Sequence, residues 1–287
     1  MKILIYGGRG WIGSQFIELL SDVKYVCGKA RADNEHELAN EICEHSPTHV
    51  ISFIGRTHGK IGDKLYSTID YLEQEGKLTE NIRDNLFAPL VLAALCKKHD
   101  VHYTYLGTGC IFKYGEDPKY EFEETSLPNF FGSSYSIVKG YTDRLMHMYD
   151  DEVLNLRIRM PITGEKNLRN FITKITTYEK ICSISNSMTV LPEVLPLVLD
   201  MMKHNITGTM NLTNPGTISH NEILDMYREL VDPGFTWQNF TETEQRAVLD
   251  SDRSNNRLDT RLLESLYPDI LSIKDAVRKC LMTYKTA

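Results

Sequence analysis

The stretch KILIYGGRGWIG (2–13) at the start of the chain decides the fold. Its first part, KILIY (2–6), is an almost continuous apolar run and predicts a strand buried on both faces, as in a parallel sheet. Two overlapping glycine spacings follow it, GxGxxG and GxxGxxG, formed by Gly7, Gly8, Gly10 and Gly13. Glycines between a strand and a helix let the backbone approach a pyrophosphate at the helix N-terminus. The turn therefore predicts a dinucleotide site, with further contacts from its other members Arg9, Trp11 and Ile12.

Outward from this turn, strand-like and helix-like runs alternate through the first half of the chain. The predicted strands are KILIYG (2–7), KYVCG (24–28), HVISFIG (49–55), HYTYLG (102–107) and LNLRIRM (154–160). The predicted helices cover 11–20, 36–45, 80–99 and 134–149. Pro89 should either kink the third helix or lie in its first turns. This alternation predicts an α/β fold with a Rossmann-type, doubly wound parallel sheet.

Beyond Pro161 the pattern becomes irregular, and short helices at 221–230 and 260–267 are separated by turns. We assign residues 1–160 to a cofactor-binding domain and 161–287 mainly to a smaller substrate-binding lobe, with the chain free to cross between the two. Such a lobe would cover the carboxyl edge of the sheet, where open α/β sheets bind ligands.

The composition excludes several classes of protein. The chain has 287 residues, with 32 Lys plus Arg against 39 Asp plus Glu and a formal net charge of −7. Nucleic-acid binding needs a basic face that neutralises phosphates, so no nucleic acid partner is expected. No apolar run reaches the ~20 residues that span a bilayer, and the first is too short for a signal peptide. We expect a soluble, cytoplasmic protein without membrane contact. The six cysteines include no CxxC pair, which predicts neither a disulfide framework nor a metal site.

The tip of the second predicted strand bears on the choice of nicotinamide cofactor. An acid that contacts the ribose belongs about 20 residues past the glycines, but this chain has Lys29 and Arg31 there and Asp33 only farther on. Together with Arg9, these basic side chains can bind a 2′-phosphate through charge-assisted hydrogen bonds. We therefore favour NADPH, with NADH and a role for Asp33 as the alternative. Gly55, which ends the third strand, is a further predicted cofactor contact.

The string YSIVK places Tyr135 and Lys139 four residues apart, on one face of a predicted helix with Cβ atoms ~5–6 Å apart. A phenol titrates near ~10, which is too high for acid–base work at neutral pH, and a nearby ammonium is expected to lower that value. Thr108 lies in the string LGTGC at the end of the preceding strand. Its hydroxyl, the Tyr135 phenol and the Lys139 ammonium are three groups that can together surround a substrate carbonyl. Tyr135 and Lys139 are also predicted to contact the cofactor.

With these residues the chain resembles the extended short-chain dehydrogenase/reductase family, and within it the nucleotide-sugar 3,5-epimerase/4-reductases. One departure is the apolar Ile137–Val138 pair inside YSIVK, which leaves the Tyr–Lys spacing intact. The strings that carry the resemblance span nearly the whole chain: IYGGRGWIG (5–13), LGTGCIF (106–112), PNFFGSSYSIVK (128–139), LRIRMPI (156–162), RNFITKITTYEK (169–180), NSMTVL (186–191), NLTNPGTISHNEIL (211–224) and RSNNRLDT (253–260).

The resemblance also implies roles for single residues. Asn85 matches a helix asparagine that supports the active-site lysine, and Lys174 matches the acid that faces a catalytic cysteine. That cysteine is Cys110, which lies two positions after Thr108 and so points to the same side of an extended strand. A thiol can act as a carbon base when nearby cations favour the thiolate. The substrate contacts implied are Asn170, Asn186, Arg253 and Asn256.

The implied activity is conversion of UDP-4-keto-6-deoxy-D-glucose to UDP-L-rhamnose by 3,5-epimerisation and NADPH-dependent 4-reduction. Carbons 3 and 5 both flank the ketone at carbon 4, so one set of donors to the carbonyl oxygen serves all the steps. The nucleotide, UDP or dTDP, stays open, and a homodimer is the default by resemblance. A 4,6-dehydratase is disfavoured because Gly109–Cys110 replaces its acidic pair. A plain 4-reductase and a non-catalytic NADP-binding regulatory subunit remain as alternatives.

Overall fold

A parallel sheet forms the centre of the molecule. The computed structural model describes residues 1–117 and 119–284. The strands in this part of the chain are β1 (Lys2–Tyr6), β2 (Lys24–Cys27), β3 (His49–Ser52), β4 (Gly59–Ile61), β5 (Lys64–Tyr66), β6 (His102–Thr108), β7 (Glu121–Phe122), β8 (Val153–Ile158), β9 (Lys180–Ile181), β10 (Gly208–Asn211), β11 (Gln238–Asn239) and β12 (Arg257–Leu258). Six of them make the main sheet in the order β10, β8, β6, β3, β1, β2, with every pair parallel. The predicted doubly wound fold is confirmed.

Helices cover both faces of this sheet. They are α1 (Trp11–Ile17), α2 (Glu35–His45), α3 (Lys77–Ile82), α4 (Ala88–Lys98), α5 (Ser134–Met146), α6 (Phe171–Ile175), α7 (Leu191–Lys203), α8 (His220–Leu230), α9 (Glu242–Val248), α10 (Arg261–Leu266) and α11 (Ile273–Met282). Ile3 and Ile5 belong to the core beneath α1 and α7, whereas Leu4 and Tyr6 belong to the core beneath α2 and α4. Burial on both faces explains why β1 is apolar throughout. Among the described residues, no helix is long and apolar enough to cross a membrane.

The predicted helix over 80–99 is divided into three parts. It consists of α3, a π-helical turn at Arg83–Phe87, and α4. Pro89 lies in the first turn of α4, which is the second of the two places predicted for it. A proline is tolerated there because the first helical N–H groups need no partner within the helix.

The chain after β8 contributes to both parts of the molecule. Helix α7 and strand β10 return to the main sheet, where β10 pairs with β8. The sequence pattern missed α7, whose Pro192 and Pro196 argue against a helix although Pro192 lies in its first turn. Side chains from α6, α8 and α11, including Ile172, Ile223 and Val277, form a separate core beside the sheet.

A buried ion pair joins α5 to the sheet. Arg157 on β8 has no exposed surface, and its Nε and Nη2 atoms donate to the Asp143 carboxylate at 2.8 and 2.7 Å. Its Nη1 atom donates to the Glu123 carbonyl at 3.1 Å. Removal of one partner from such a pair typically costs ~3–5 kcal/mol, because the other charge stays buried. The pair therefore fixes the position of α5 and of Tyr135 and Lys139 upon it.

The glycine turn is closed by a backbone contact that excludes a side chain. Gly7 has a φ of +75°, in the left-handed region that favours glycine. A Cβ atom at Gly13 would lie 2.5 Å from the Gly7 carbonyl oxygen and 2.8 Å from the Gly8 Cα. The start of α1 can lie this close to the end of β1 only because position 13 has no side chain.

We predict that Gly13→Ala lowers the free energy of unfolding by about 1–3 kcal/mol, because the methyl group must displace the backbone of the turn. Urea denaturation measures the change. Gly115→Ala is the matched control, since no atom of the described residues lies within 4 Å of a Cβ atom added there. We expect it to change stability by less than about 0.5 kcal/mol. Equal effects of the two substitutions would contradict the role assigned to the Gly13 contact.

Candidate active site

A cavity of about 1060 Å³ opens at the carboxyl ends of the central strands. Its wall includes the glycine turn after β1, the Phe53–Gly55 segment after β3, the end of β6, and Ile158–Pro161 at the end of β8. The sheet order reverses between β1 and β3, and ligands of open α/β sheets bind at such a point. Side chains from α6 and from the 177–184 and 240–255 segments enclose the other half.

The cofactor half of the cavity has the features that a dinucleotide needs. Gly10 is the N-cap of α1, and no side chain of the described residues accepts a hydrogen bond from the first N–H groups of this helix. These donors are therefore available to an anion. Gly13 and the predicted contacts Trp11, Ile12 and Gly55 line the same space. The residues present therefore fit the pyrophosphate of a nicotinamide dinucleotide.

Asn85 also lines the cofactor half, in the π-helical turn before α4. Its carboxamide accepts from the Arg56 N–H at 2.9 Å and donates to the Arg56 carbonyl at 2.8 Å, which holds the segment after Gly55. Its own carbonyl accepts from the Thr142 hydroxyl at 2.6 Å. These bonds join Asn85 to α5, so it supports the helix that carries Lys139 rather than bonding to the amine itself.

At the tip of β2, Arg31 and Asp33, which predict opposite cofactor preferences, bind each other. The Arg31 guanidinium donates to both Asp33 carboxylate oxygens, at 3.0 and 3.3 Å, and Arg83 lies 3.7 Å from the same carboxylate. The hydrogen bond from Arg31 lowers the pKa of Asp33. Lys29 and Arg9 are exposed. Asp33 therefore neutralises part of the positive charge that the sequence places at this tip.

Thr108, Tyr135 and Lys139 lie together in the cavity wall, as their spacing predicts. They are only 7%, 8% and 4% exposed. The N-cap of α5 is Ser133, whose hydroxyl accepts from the Ser136 N–H at 3.0 Å and fixes the start of this helix. Burial lowers the pKa of Lys139 to about 8, while the charges of Asp143 and Cys110 act in the opposite direction.

The sequence predicts that Lys139 lowers the pKa of Tyr135, but in the structure this pKa is raised. The Lys139 amine donates to the Tyr105 hydroxyl and lies 4.6 Å from the centre of that ring. Burial and the nearby Cys110 raise the pKa of Tyr135, and a hydrogen bond with Thr108 opposes them only in part. Tyr135 therefore keeps its proton at neutral pH, which suits a proton donor rather than a base.

Cys110 lies in the same wall, but not for the reason that its spacing suggested. Strand β6 ends at Thr108, and Cys110 belongs to the turn that follows. The Cys110 N–H donates to the Thr108 hydroxyl oxygen at 3.1 Å, which folds the turn back so that both side chains face the cavity. The partly buried thiol is therefore adjacent to the Thr108–Tyr135 pair.

Lys174 reaches the cavity from α6. Burial lowers the pKa of its amine, and the positive charges of Arg169 and Arg253 lower it further. An amine in this setting releases its proton more readily than an exposed lysine. Lys174 and Cys110 thus enter one space from different elements of the fold.

Of the four predicted substrate contacts, Arg253 lines the cavity, where it binds the Asp70 carboxylate at 2.6 and 3.0 Å. The other three are fully buried in the scaffold, which corrects the prediction. Asn170 caps α6 by accepting from the Ile172 N–H at 3.1 Å. Asn186 accepts from the Asn256 N–H at 2.9 Å, and Asn256 donates to the Gly109 carbonyl at 2.9 Å.

Two residues of the site were missed. Tyr105, which binds Lys139, lies in the predicted strand 102–107, and nothing in the sequence distinguishes it from the other residues of that strand. Arg159 lines the cavity and is 1% exposed. The available signal was LNLRIRM, in which arginines alternate with apolar residues in a strand that should be buried.

Comparison with known proteins agrees with this geometry. A model of the NAD dependent epimerase/dehydratase family matches residues 3–166. The chain belongs to this family. It is 53% identical, over 99% of both chains, to the L780 UDP-rhamnose synthase of Acanthamoeba polyphaga mimivirus, and the two structures superimpose with a TM-score of 0.95.

A second relative is the bifunctional dTDP-4-dehydrorhamnose 3,5-epimerase/dTDP-4-dehydrorhamnose reductase of Arabidopsis thaliana, 41% identical over 97% of this chain and 91% of that protein. The fold also matches a dTDP-4-dehydrorhamnose reductase from Bacillus anthracis in complex with NADP, with a TM-score of 0.81 at 15% identity over 98% of both chains. The resemblance predicted from the motifs is confirmed, and the protein is an NAD(P)-dependent enzyme of the oxidoreductase and isomerase type, related to UDP-rhamnose synthases.

We predict that Tyr135 stays un-ionised across the neutral range, because burial raises its pKa. The measurement is absorbance at 295 nm during a pH titration of the protein and of Tyr135→Phe. The difference between the two curves should stay flat from pH 6 to about pH 10. A step between about pH 7 and 9 that the variant lacks would show instead that Lys139 lowers the pKa of the phenol.

Proposed function

We propose that this protein is a bifunctional 3,5-epimerase and NADPH-dependent 4-reductase that converts UDP-4-keto-6-deoxy-D-glucose to UDP-L-rhamnose. The observation that carries the proposal is that Thr108, Cys110, Tyr135 and Lys174 all line one cavity. The names of the mimivirus and Arabidopsis relatives support the substrate class. UDP is preferred to dTDP because the more similar of the two relatives is a UDP-rhamnose synthase.

The epimerase steps need a base and an acid beside a polarised ketone. The Cys110 thiolate removes the proton at carbon 3 or carbon 5, so that the C–H bond breaks, an S–H bond forms and the electron pair moves to the ketone oxygen. Hydrogen bonds from Thr108 and Tyr135 to that oxygen stabilise the enolate. The Lys174 ammonium returns a proton to the other face of the carbon, which inverts it. Lys174 suits this role because its pKa is lowered by burial.

The reductive step uses the same two hydroxyl donors. When bound, NADPH would be the source of the hydride that reduces carbon 4 of the sugar. Tyr135 gives its proton to the oxygen at carbon 4, a role that its protonated state at neutral pH allows. Lys139, which binds the Tyr105 hydroxyl, keeps a positive charge beside the oxygen that becomes negative. The cofactor would be held by the glycine turn, Gly55 and Asn85.

Further parts of the proposal concern organisation. Residues 1–160 bind the cofactor and 161–287 mainly bind the substrate, with Arg253 at the nucleotide-sugar end. The protein acts in the cytoplasm as a homodimer. The support for a dimer is a group of exposed apolar side chains on the helical run from α3 to α4 and on α5, namely Leu78, Ile82, Phe87, Ile137 and Tyr141.

The cofactor preference is tested at the tip of β2. Arg31→Ala should raise the Kd of NADPH by about twofold to fivefold and leave the Kd of NADH unchanged, because an exposed charge-assisted contact contributes ~1 kcal/mol or less. Quenching or enhancement of nicotinamide fluorescence measures both constants.

The matched variant is Asp33→Asn, which frees Arg31 and Arg83 from their shared counter-charge. It should tighten NADPH binding, so the two substitutions act in opposite directions. Equal weakening of both cofactors by Arg31→Ala would contradict the 2′-phosphate contact and favour NADH.

The epimerase pair is tested by mass spectrometry of products formed in deuterated water. Cys110→Ala should stop deuterium incorporation at carbons 3 and 5, while reduction continues slowly and yields an unepimerised 6-deoxyhexose. Lys174→Met should impair proton return more than proton removal, so that exchange without inversion persists. The physical reason is that neither substitution removes a donor to the ketone oxygen.

Tyr135→Phe is the converse control, because it should lower the rate of reduction by ~10²–10⁴ and leave folding and cofactor binding intact. If Cys110→Ala forms UDP-rhamnose at the unaltered rate with full deuterium incorporation, the thiol is not the base. A protein that reduces the sugar without any exchange is a plain 4-reductase. Absence of any turnover by the unaltered protein would favour the regulatory alternative.

A further inference from the structure

Arg159 is a buried cation that has no counter-ion among the residues that the structure describes. It follows the end of β8 and lines the cavity, yet its side chain is 1% exposed. Two other arginines near the cavity bind carboxylates, Arg157 that of Asp143 and Arg253 that of Asp70. Among the side chains that the structure describes, no carboxylate contributes to the charge environment of Arg159. An uncompensated charge in a protein interior is costly, so its presence calls for an anion that forms beside it.

The hydrogen bonds of Arg159 rule out direct contact with a substrate phosphate. Its Nη1 atom donates to the Gly109 carbonyl at 3.1 Å and the Ser254 hydroxyl at 3.2 Å. Its Nη2 atom donates to the Asn186 carboxamide oxygen at 2.8 Å and the Ser254 carbonyl at 3.0 Å. These four bonds use all four Nη hydrogens. The remaining Nε atom is buried and has no partner among the described groups. Arg159 is therefore held rigidly and acts through its charge.

Arg159 is held against the residue that precedes Cys110. Arg159 binds the carbonyl of Gly109, the residue immediately before the cysteine. A Cβ atom at Gly109 would lie 3.1 and 3.2 Å from the Cγ and Cδ atoms of Arg159, so the arginine stem lies against this backbone. A negative charge on Cys110 would favour the ionised form of the Arg159 guanidinium, which agrees with this arrangement. A guanidinium stays protonated throughout the working range of an enzyme.

We propose that Arg159 is the fixed positive charge that stabilises the negative charge of the Cys110 sulfur when the cysteine acts as a base. Arg159 is a positioning residue, since it acts through the thiol and not on the substrate. The other charged or titratable groups that face Cys110 are Tyr135 and Lys139 on α5, and Tyr114 faces Arg159. The inference rests on the proposed function only for the use of the thiolate as a base.

The test is the alkylation rate of Cys110 by iodoacetamide across pH, resolved by peptide mass spectrometry, because the thiolate is the reacting form. It needs no substrate, so it can succeed or fail independently of the deuterium experiment. Cys43, which is exposed on α2, is the internal reference. In the unaltered protein, Cys110 should react faster than Cys43 at pH 6.5 although it is less exposed. A slower reaction overturns the proposal.

Arg159→Met should slow Cys110 relative to Cys43 by tenfold or more at pH 7 and move its pH profile to higher pH, whereas Arg159→Lys should recover most of the rate. Because Arg159→Met removes four hydrogen bonds, Asn186→Asp is the second variant. It leaves Arg159 in place and adds a carboxylate where the Nη2 atom donates, and it should slow Cys110 in the same way. The matched control is Arg169→Met, which removes another cation of the cavity and should change the rate by less than twofold.

A rate and a pH profile unchanged in both folded Arg159→Met and folded Asn186→Asp would overturn the proposal. Equal slowing by Arg169→Met would also overturn it, since the general potential of the cavity would then be the cause. Slowing by Asn186→Asp that Arg169→Met does not reproduce would support the proposal even if Arg159→Met fails to fold.

Discussion

The ion pair between Asp143 and Arg157 is the interaction on which the geometry of the site depends. Two hydrogen bonds of 2.7 and 2.8 Å tie α5 to β8, and both partners are buried. Asn155 on the same strand adds a bond to Asp143 at 3.0 Å. Asp143 lies one helical turn after Lys139, so the same carboxylate positions the helix and favours the charged form of the amine. Among the described residues, Lys139 also joins α5 to the sheet, through the Tyr105 hydroxyl and ring on β6, but the ion pair of Asp143 with Arg157 is the link in which both partners are charged.

Burial is the physical condition that gives the cavity its chemistry. It raises the pKa of Tyr135 and lowers those of Lys139 and Lys174, in each case because the charged form is poorly solvated. The result is a phenol that keeps its proton and, in Lys174, an amine that gives its proton up more easily, whereas the Asp143 carboxylate favours the charged form of Lys139. One cavity thus holds groups adapted to donate and to return protons, as the proposed action on several carbons of one sugar requires.

The two buried arginines near the end of β8 differ in what balances them. Arg157 has a carboxylate partner and serves the scaffold, whereas the acceptors described around Arg159 are neutral and include the carbonyl of Gly109, the residue before Cys110. The two arginines are two positions apart in the string LRIRM, and in a strand any two residues with this spacing point to the same face. The spacing therefore does not distinguish their roles. The difference between a structural and a functional arginine therefore comes from the surrounding elements, and not from the string.

The sequence alone determined the fold and the outline of the site. The glycine spacing after an apolar strand, the four-residue spacing of Tyr135 and Lys139, and Thr108 at a strand end are local patterns, and local patterns fix which residues share a turn or a helix face. Only the tertiary structure decided what each side chain binds. Lys139 binds Tyr105 rather than acting on Tyr135, Asn170 caps a helix, and Asn186 and Asn256 hold the wall behind the cavity. These outcomes depend on contacts between distant segments and on the burial that such contacts produce, and neither can be read from the spacing of residues along the chain.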